Sequence, residues 1–434
     1  MHPVIGIRRE DKNEWERRAP LAPRHVRDLV HHGIEVVIQP SRIRVFTDED
    51  YIEAGAKVQE DLTMCNVVFG IKEFPLHAFH EDQAGIFFSH TIKGQEYNMP
   101  MLKKLMEKRC TLLDYEKITN DKNQRLIFFG NYAGLAGMLE TLHLLGKRLE
   151  WEGMKTPFIG LKRPLDYGSL DEAKAALEVV ATWIETEGLP ENLGPLVVGF
   201  AGYGNVSKGA QEILDILPVE EIEPDELDLF MQNGEYSRHV IYKVVFYERD
   251  MVVPKDPAQK FELQDYFKHP EKYDGVFSQY LEHLNILVNC IYWTPAYPML
   301  ITKEWVKNNW TMKSRLKVVG DITCDIEGSI QITKEATDPG LPSYVYLAEK
   351  DDIVYGWEGD GPVVMAVDTL PSMLPRDSST FFGTQLLPFV AAIAKADYKV
   401  DFDMLRLPPE IKKCVVVHKG QLTPDYLYMK KFLE

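Results

Sequence analysis

The sequence predicts an α/β protein built from two Rossmann-like, doubly wound parallel-sheet domains that are separated by a cleft. Short, wholly apolar runs, such as those at 67–71 and 196–201, are typical of strands that are buried on both faces. Helical segments alternate with these runs, as the crossovers between parallel strands require. A chain of 434 residues is long enough for two or three domains.

The first 130 residues alternate between predicted strands and helices. A strand at 4–7 precedes a helix at 25–32, and a strand at 34–38 follows. Thr47 and Asp50 have the spacing of a capping box, which predicts that a second helix begins there. Further strands are predicted at 67–71, 86–89, 112–115 and 126–129.

A second series of elements begins with a long predicted helix at 131–151 and a buried strand at 196–201. Further strands are predicted at 240–245, 286–290 and 318–322, and surface insertions at 218–239 and 254–275. These insertions are rich in acidic residues or in Asp, Lys and Pro, which favours exposure to solvent.

The last hundred residues contain too few strand signals for a third sheet. Their clearest element is a helix at 381–396, and we expect this part of the chain to fold back onto the first domain. The predicted substrate domain is therefore 1–135 together with 330–434. The predicted dinucleotide-binding domain is 136–329.

Composition and charge exclude several classes of partner. The chain has 49 Lys and Arg against 66 Asp and Glu, a formal net charge of −17. Such an excess of carboxylates argues against binding to nucleic acid or to an anionic membrane surface. No run approaches the ~18 apolar residues that a membrane-spanning helix needs. An anionic small substrate stays possible, because a few cations can gather in a cleft.

Cysteine usage and the N-terminus predict an intracellular protein. The five cysteines are widely spaced and form no CxxC pair, so neither a disulfide framework nor a metal site is predicted. The opening residues MHPVIGIRRE run directly into a strand without a signal peptide. We expect a cytoplasmic protein, or a mature protein of an organellar matrix.

The motif GYGNVS is the strongest local signal. Gly202 and Gly204 follow an apolar strand and precede a helix that includes Asn205, Val206 and Ser207. Glycine permits the tight turn and the close approach of a diphosphate, which the free N–H groups of the helix then bind. The small Ser207 stands where the third glycine of the fingerprint is usual. We predict a dinucleotide site here, with an ordinary tight turn as the alternative.

The residues after the next strand bear on the choice of cofactor. Arg249, with Lys243 nearby, slightly favours a 2′-phosphate and hence NADP. Glu248 would instead bind the ribose diol of NAD. The predicted cofactor is NADP or NAD, with a slight preference for NADP.

Polar residues follow several strands of the first domain, at the edge where open α/β sheets form clefts. They are Arg18, Lys72, Glu73, His90, Lys93, Gln95, Glu116 and Arg125. Each residue alone has an ordinary structural explanation. Several cations and a histidine at one sheet edge predict a site for an anionic substrate with an acid–base pair.

A chain of motifs in a distinctive order resembles the alanine dehydrogenase/transhydrogenase superfamily. It is most similar to the lysine–ketoglutarate reductases and the lysine-forming saccharopine dehydrogenases. The motifs are ERRAPLAP, FTDEDYIEAGA, GIKE, FSHTIKGQ, DYE, FGNYAGLAG, GYGNVSKGAQEIL, VNCIYW, GDITCDIEGSI and VDTLPSMLPRDSSTFF. The resemblance extends from Val4 to about Ala394.

The resemblance implies a role for each matching residue. The acid–base catalysts are Lys72 and His90, in an order that the sequence leaves open, and Glu73 and Glu116 tune their basicity. The matching substrate-binding positions are Arg18, Lys93, Arg125 and Phe129. Gln95, Asn289 and Asp321 match cofactor positions beside the glycine turn.

The reaction implied is the interconversion of L-lysine plus 2-oxoglutarate with saccharopine, by hydride transfer to an imine. The alternatives are another alanine dehydrogenase-like or opine-type amino-acid dehydrogenase and, less favoured, a non-catalytic sensor of a cofactor or metabolite. Small molecules are therefore the expected partners. The sequence leaves the physiological direction and the oligomeric state open.

Overall fold

Contacts within the chain divide residues 3–433, which the computed structural model describes, into two units. One unit ends at Phe129 and resumes at Pro375, and the other is Gly130–Leu374. Each unit contains an eight-stranded sheet. In chain order the strands are β1 (Val4–Ile7), β2 (Glu35–Ile38), β3 (Lys57–Val58), β4 (Val67–Phe69), β5 (Ala84–Phe87), β6 (Thr111–Asp114), β7 (Leu196–Ala201), β8 (Val219–Glu221), β9 (Ile241–Phe246), β10 (Val252–Pro254), β11 (Tyr273–Gly275), β12 (Ile286–Asn289), β13 (Val318–Asp321), β14 (Ser343–Leu347), β15 (Asp352–Tyr355), β16 (Val363–Met365), β17 (Val415–His418) and β18 (Gln421–Leu422).

The helices fill the connections between these strands. In chain order they are α1 (Pro23–His31), α2 (Asp48–Glu53), α3 (Met99–Glu107), α4 (Gly130–Trp151), α5 (Leu170–Glu187), α6 (Asn205–Leu214), α7 (Leu227–Asn233), α8 (Glu248–Met251), α9 (Leu263–Lys268), α10 (Lys303–Asn309), α11 (Pro375–Lys395) and α12 (Pro409–Lys412). The predicted cap of α2 is confirmed, because the Thr47 hydroxyl accepts the N–H of Asp50 at 3.1 Å. Within residues 3–433, no helix is both long enough and apolar enough to cross a membrane.

The first sheet has the strand order β18-β17-β6-β5-β4-β1-β2-β3. Its strands β1 to β6 are parallel, and β17 is antiparallel to β6. Strand β1 lies between β2 and β4, so the chain winds outward in both directions from it. At such a reversal the loops that leave the carboxyl ends of the two central strands diverge, and a crevice opens between them.

Helix α11 explains why the chain returns to the first unit. Its Phe382, Leu386 and Val390 are fully buried in the same apolar cluster as Ile5 and Ile7 of β1. Parallel strands need cover on both faces, and this C-terminal helix supplies cover for the central strand.

The second sheet has the order β15-β14-β16-β13-β12-β7-β9-β8. Strands β8, β9, β7, β12, β13 and β16 are parallel, while β14 and β15 are antiparallel additions at one edge. Here β7 lies between β9 and β12, so this sheet also reverses its winding at one strand. The glycine turn leaves the carboxyl end of β7.

The border between the units corrects the predicted domains. Residues 330–374 belong to the second unit, because β16 pairs with β13 and β14 pairs with β16. The expectation that everything after 330 completes the first domain is therefore wrong up to Leu374. Residues 130–135 also belong to the second unit, as the first turns of α4.

Three other local predictions also change. The segment 126–129 is not a strand, because β17 from the C-terminal part occupies the edge beside β6. The segment 218–239 includes β8, which pairs with β9, and is therefore part of the sheet. In the segment 254–275, β11 pairs with β10 in a small antiparallel sheet of its own.

Helices α4 and α6 cross at very close range in the second unit. A Cβ atom at Gly134 would collide with the Val206 carbonyl and lie 2.6 Å from the Ala210 nitrogen. A Cβ atom at Gly209 would collide with the Asn131 carbonyl and lie 2.8 Å from its Oδ1. Backbone atoms cannot yield at such contacts. The two glycines therefore set how closely α6, which begins at the glycine turn, packs against α4.

We expect Gly209→Ala to lower the free energy of unfolding by about 1–3 kcal/mol, because the added methyl group pushes α6 away from α4. Chemical denaturation measures this loss. Gly160→Ala is the matched control, since no atom lies within 4 Å of a Cβ at that position. Equal stability of the two variants would contradict the close crossing.

Candidate active site

A buried carboxylate, Glu10, joins the carboxyl ends of β1 and β4. Its two oxygens accept the backbone N–H groups of Ile71 at 2.7 Å and Lys72 at 3.0 Å. The side chain lies close to Gly70, where a Cβ would be 3.3 Å from Glu10 Oε1. Glu10 thereby fixes the backbone that carries Lys72. Burial, then the negative charge of Glu16, raises the pKa of Glu10 to about 7, against the two N–H bonds.

Arg18 is a buried cation whose guanidinium plane is fixed by contacts with two side chains. Its Nε and Nη2 donate to the carboxylate of Glu16 at 2.7 and 2.6 Å. Its guanidinium lies 4.4 Å from the centre of the Phe129 ring, which stacks on Phe382 at 4.5 Å. Burial alone would raise the pKa of Glu16, but the charge and hydrogen bonds of Arg18 outweigh burial and lower it. Among the described residues Nη1 has no acceptor, which suits a substrate carboxylate.

Lys72 follows β4 and is half-buried. Burial, and then the positive charge of Arg18, lowers the pKa of its ammonium, although Glu16 and Glu73 act in the opposite direction. A lowered pKa makes the neutral, proton-accepting form of this lysine easier to reach than in an exposed lysine, as the role of a general base requires.

Glu73 and His90 form a hydrogen-bonded pair. His90 Nδ1 lies 2.6 Å from Glu73 Oε1, to which Asn98 Nδ2 also donates at 3.2 Å. Lys12 Nζ lies 3.2 Å from the other oxygen. Burial raises the pKa of Glu73, but the hydrogen bond and charge of His90, followed by Lys12, hold it well below its usual range. The ionised carboxylate requires His90 Nδ1 to carry a hydrogen, which leaves Nε2 for proton transfer.

The backbone at His90 is unusual, because its φ of 48° lies in the left-handed region that residues with a Cβ rarely adopt. Asn98 Nδ2 donates to the Ser89 carbonyl at 3.0 Å and so stabilises the turn at His90. The conformation is of the kind that proteins retain where a side chain must be aimed.

Lys93, Glu116 and Arg125 line a cavity of about 660 Å³ in the first unit. Arg125 Nη2 lies 3.4 Å from Glu116 Oε2. Neither Lys72 nor His90 is on the walls of this cavity. The predicted substrate residues therefore fall into two groups, one around the acid–base pair and one around the cavity. Gln95, in the same loop as Lys93, has a buried Oε1 without a partner in the described chain.

The glycine turn of the second unit has the geometry that a dinucleotide requires. Gly202 has φ 95°, and a Cβ there would lie 3.1 Å from Ile291 Cγ2. Gly204 caps α6, and no atom lies within 4 Å of its Cβ position, so the approach to the helix N-terminus is open. Asn205 is exposed in the first turn of α6, whereas Ser207 is buried and accepts a hydrogen bond from Gln211 at 2.9 Å. Val206 is half-buried beside α4.

A cavity of about 400 Å³ adjoins this turn. Glu248 lies on its wall, directly after β9, and Tyr203 Oη is 3.4 Å from Glu248 Oε1. Tyr203 stacks on Tyr247 with ring centres 4.7 Å apart. An open glycine turn, a free helix N-terminus and an acidic residue at the end of the second strand together fit a nicotinamide dinucleotide.

The structure corrects the prediction for Lys243. This residue lies inside β9 and its Nζ binds Asp215 at 2.9 Å and Glu221 at 3.4 Å, so it is not at the cavity. Arg249 follows the strand, but its side chain is exposed and lies 5.0 Å from the Tyr247 ring centre. Arg249 is not among the residues that line the cavity.

Asn289 and Asp321 lie opposite each other at the ends of β12 and β13. Asn289 Nδ2 donates to Asp321 Oδ1 at 2.8 Å and to Ser329 at 2.9 Å, and Thr333 donates to Asp321 at 2.6 Å. Burial raises the pKa of Asp321 to about 6, although these hydrogen bonds oppose the shift. Both side chains are hydrogen-bonded within the protein, so they stabilise the loops that follow β12 and β13. A direct contact with a cofactor stays a prediction.

The sequence analysis did not identify the residues that hydrogen-bond to, or form ion pairs with, the predicted site residues. These are Glu10, Lys12, Glu16 and Asn98. Glu10 and Glu16 do carry a signal, since both follow the first apolar strand within GIRRE and ERRAP. Asn98 carries none, because its contact with Glu73 depends on how the chain turns after His90. Between residues 3 and 433, no group of three or more His, Cys, Asp or Glu side chains is arranged to hold a metal ion.

Comparisons with known proteins identify the family and the fold of the chain. The family model described as alanine dehydrogenase/PNT, N-terminal domain matches residues 6–136, and the corresponding C-terminal domain matches 251–425. Among solved structures, an L-alanine dehydrogenase (TM-score 0.58, 18% identity) covers 99% of this chain and all of its own. A transhydrogenase from Sinorhizobium meliloti (TM-score 0.57, 14% identity) covers 97% and all of its own. At these identities the likeness concerns the fold.

Several curated proteins match along almost the whole chain. An alpha-aminoadipic semialdehyde synthase of Arabidopsis thaliana is 39% identical over 99% of this chain and 41% of its own length. The mitochondrial protein of that name from Rattus norvegicus is 34% identical over 100% and 48%. This chain thus spans less than half the length of these relatives. A saccharopine dehydrogenase [NAD(+), L-lysine-forming] of Emericella nidulans is 24% identical over 88% of this chain and 90% of its own.

The bridge made by Glu10 yields a prediction for Glu10→Gln. The amide places an NH₂ group where one backbone N–H needs an acceptor, so we expect a loss of about 1–3 kcal/mol in the free energy of unfolding. The pH dependence also changes. Glu10 has a higher pKa folded (about 7) than in its ordinary state (4.5), so ionisation costs the wild type up to about 3 kcal/mol as pH rises through this window.

Urea denaturation at a series of pH values measures both effects. The stability of Glu10→Gln should decline less between pH 4.5 and 7 than that of the wild type. Glu14→Gln, at an exposed position in the same loop, is the control and should reproduce the wild-type profile. A wild-type slope in Glu10→Gln would show that Glu10 is not the buried acid described here.

Proposed function

Because the chain belongs to the alanine dehydrogenase/PNT superfamily, we propose that it is a nicotinamide-dependent oxidoreductase that interconverts L-lysine plus 2-oxoglutarate with saccharopine. The observation that carries the proposal is the cluster at the ends of β1 and β4. This cluster contains Lys72, whose pKa is lowered, and His90, which is bound to a carboxylate. It also contains Arg18, which is buried and has one N–H donor without a partner among the described residues. The similarity to alpha-aminoadipic semialdehyde synthases and to saccharopine dehydrogenases supports the same substrates.

Arg18 is proposed to hold the carboxylate next to the reacting carbon of the oxo acid. Its plane is fixed by Glu16 and Phe129 before any ligand arrives, so little side-chain entropy is lost when a carboxylate binds Nη1. Lys93 and Arg125 are proposed to bind a second carboxylate in the neighbouring cavity.

Lys72 is proposed to take the proton from the incoming substrate ammonium, because burial and the charge of Arg18 already disfavour its own charged form. The neutral amine then attacks the keto carbon and gives a carbinolamine. His90, whose Nδ1 is bound to Glu73, is proposed to donate a proton from Nε2 to the departing hydroxyl group, which leaves as water. The remaining imine accepts a hydride, which the nicotinamide cofactor supplies when bound.

The second unit is proposed to bind NAD in preference to NADP. The backbone of Gly202 to Asn205 would hold the diphosphate at the start of α6. Glu248 would accept the ribose hydroxyls at the end of β9, where its carboxylate repels a 2′-phosphate. This choice replaces the preference for NADP, because Lys243 is paired elsewhere.

The decisive experiment is a nicotinamide absorbance assay with lysine and 2-oxoglutarate, and with each substrate omitted in turn. We expect oxidation of the reduced cofactor only when both are present. Lys72→Met and His90→Ala should each lower kcat by about 10²–10⁴-fold, since each removes one proton transfer. His77→Ala, at an exposed histidine, is the control. Turnover with ammonia plus pyruvate instead of lysine would indicate another dehydrogenase of the superfamily.

The cofactor choice has its own test in Glu248→Ala. We expect KM for NADH to rise about tenfold or more, because the hydrogen bonds of a charged acceptor are lost. KM for NADPH should fall or stay the same, because the repulsion of the 2′-phosphate is relieved. Glu282→Ala, an exposed carboxylate elsewhere in the second unit, is the matched control. Equal weakening of both cofactors would rule out Glu248 as the discriminating residue.

A further inference from the structure

The C-terminal segment forms one wall of the cavity that contains Lys93 and Arg125. Lys413, Asp425, Tyr426 and Tyr428 line this cavity of about 660 Å³ from the opposite part of the sequence. These four residues lie beyond Ala394, where the motifs that carry the sequence resemblance end, and their role was open at the level of sequence.

The cavity is basic although the chain as a whole is acidic. Lys93, Lys117 and Lys413 lie on its walls, and in the described part of the chain their amino groups pair with no carboxylate. The fourth cation, Arg125, is 3.4 Å from Glu116. Asp425 is the other carboxylate on the wall. Four cations and two carboxylates around this open cavity favour an anionic ligand.

Lys413 differs from its neighbour Lys412 in what its side chain does. The Lys412 ammonium donates to the carbonyl groups of Phe402 and, at 2.8 Å, Leu405, so it stabilises the local fold. No hydrogen bond or ion pair of that kind engages the amino group of Lys413 within residues 3–433. Its charge is therefore available to a ligand.

The wall that carries Lys413 is held firmly against the loop that carries Lys93. Tyr428 Oη donates to the Ile92 carbonyl at 2.7 Å, and Tyr426 Oη donates to the Lys413 carbonyl at 2.7 Å. The ring of Phe432 packs on Gly94, whose φ of 74° and lack of a side chain permit the contact. These contacts hold the two segments that form the cavity against each other, so the backbone positions from which Lys93 and Lys413 extend are fixed before a ligand binds.

We propose that Lys413, with Lys93 and Arg125, binds the distal carboxylate of the oxo acid and so selects a 2-oxo dicarboxylate over a 2-oxo monocarboxylate. The inference rests on the proposed function. The carboxylate beside the reacting carbon has to stay near Lys72, His90 and Arg18, none of which lines this cavity. Its Lys93 nevertheless lies three residues after His90, and its Arg125 lies four residues before Phe129, whose ring packs on Arg18. The cavity therefore suits the far end of the substrate. A monocarboxylate would leave these cations without a counter-charge, and this penalty provides discrimination.

The test compares Lys413→Met with the wild type on two oxo acids, 2-oxoglutarate and 2-oxobutanoate, at saturating lysine. We expect kcat/KM for 2-oxoglutarate to fall about tenfold or more, through KM. The value for 2-oxobutanoate should change less than about threefold, so the ratio between the two substrates collapses. Lys413→Arg should restore most of the ratio, because it restores the charge. Lys430→Met, on the same segment at an exposed position outside the cavity, should match the wild type.

A binding measurement separates this inference from the proposed function. Glutarate, which cannot react, should bind the wild type in calorimetry and bind Lys413→Met about tenfold more weakly.

If the wild type turns over lysine and 2-oxoglutarate but Lys413→Met keeps the substrate ratio and glutarate affinity, the role of Lys413 is overturned and the function stands. If the wild type shows no such turnover but glutarate binding depends on Lys413, the function falls and the dicarboxylate site stands. Parallel losses on both oxo acids would also overturn the selective role.

Discussion

The first unit depends on one carboxylate that spans a reversal in the winding of its sheet. Where β1 and β4 diverge, the N–H groups of Ile71 and Lys72 lie beyond the paired strands and need an acceptor. Glu10 accepts both at 2.7 and 3.0 Å. Burying a carboxylate is costly unless it is hydrogen-bonded, and this pair of bonds offsets part of that cost. The position of Lys72 follows directly from the bridge.

The charges around this bridge form a pair of carboxylates and a pair of cations, which the Glu16–Arg18 salt bridge joins, and each charge modifies its neighbour. Glu16 raises the pKa of Glu10 and is itself stabilised in its ionised form by Arg18. Arg18 in turn disfavours the charged form of Lys72. These interactions shift the pKa values of Glu10, Glu16 and Lys72 away from their ordinary ranges, as is common at functional sites.

The two units use the same topology for different chemistry. At the reversal in the first sheet, charged side chains fill the crevice. At the reversal in the second sheet, glycine clears the crevice and leaves the N-terminus of α6 accessible, with Gly134 and Gly209 setting the depth of that helix. A net charge of −17 is compatible with both arrangements, because a few of the 49 Lys and Arg residues suffice to supply the cations of one crevice and one cavity.

The amino-acid sequence alone determined the α/β class, most strands, the Thr47 cap and the glycine turn, and it predicted the acid–base pair. These features depend on local patterns such as apolar runs, capping spacing and polar residues at strand ends. Only the tertiary structure decided that β17 displaces 126–129 from the sheet edge and that 330–374 extends the second sheet. It also decided that Lys243 is paired inside β9, while Lys413 reaches the cavity. Such outcomes depend on which distant segments compete for the same edge or the same charge, and no local pattern contains that information.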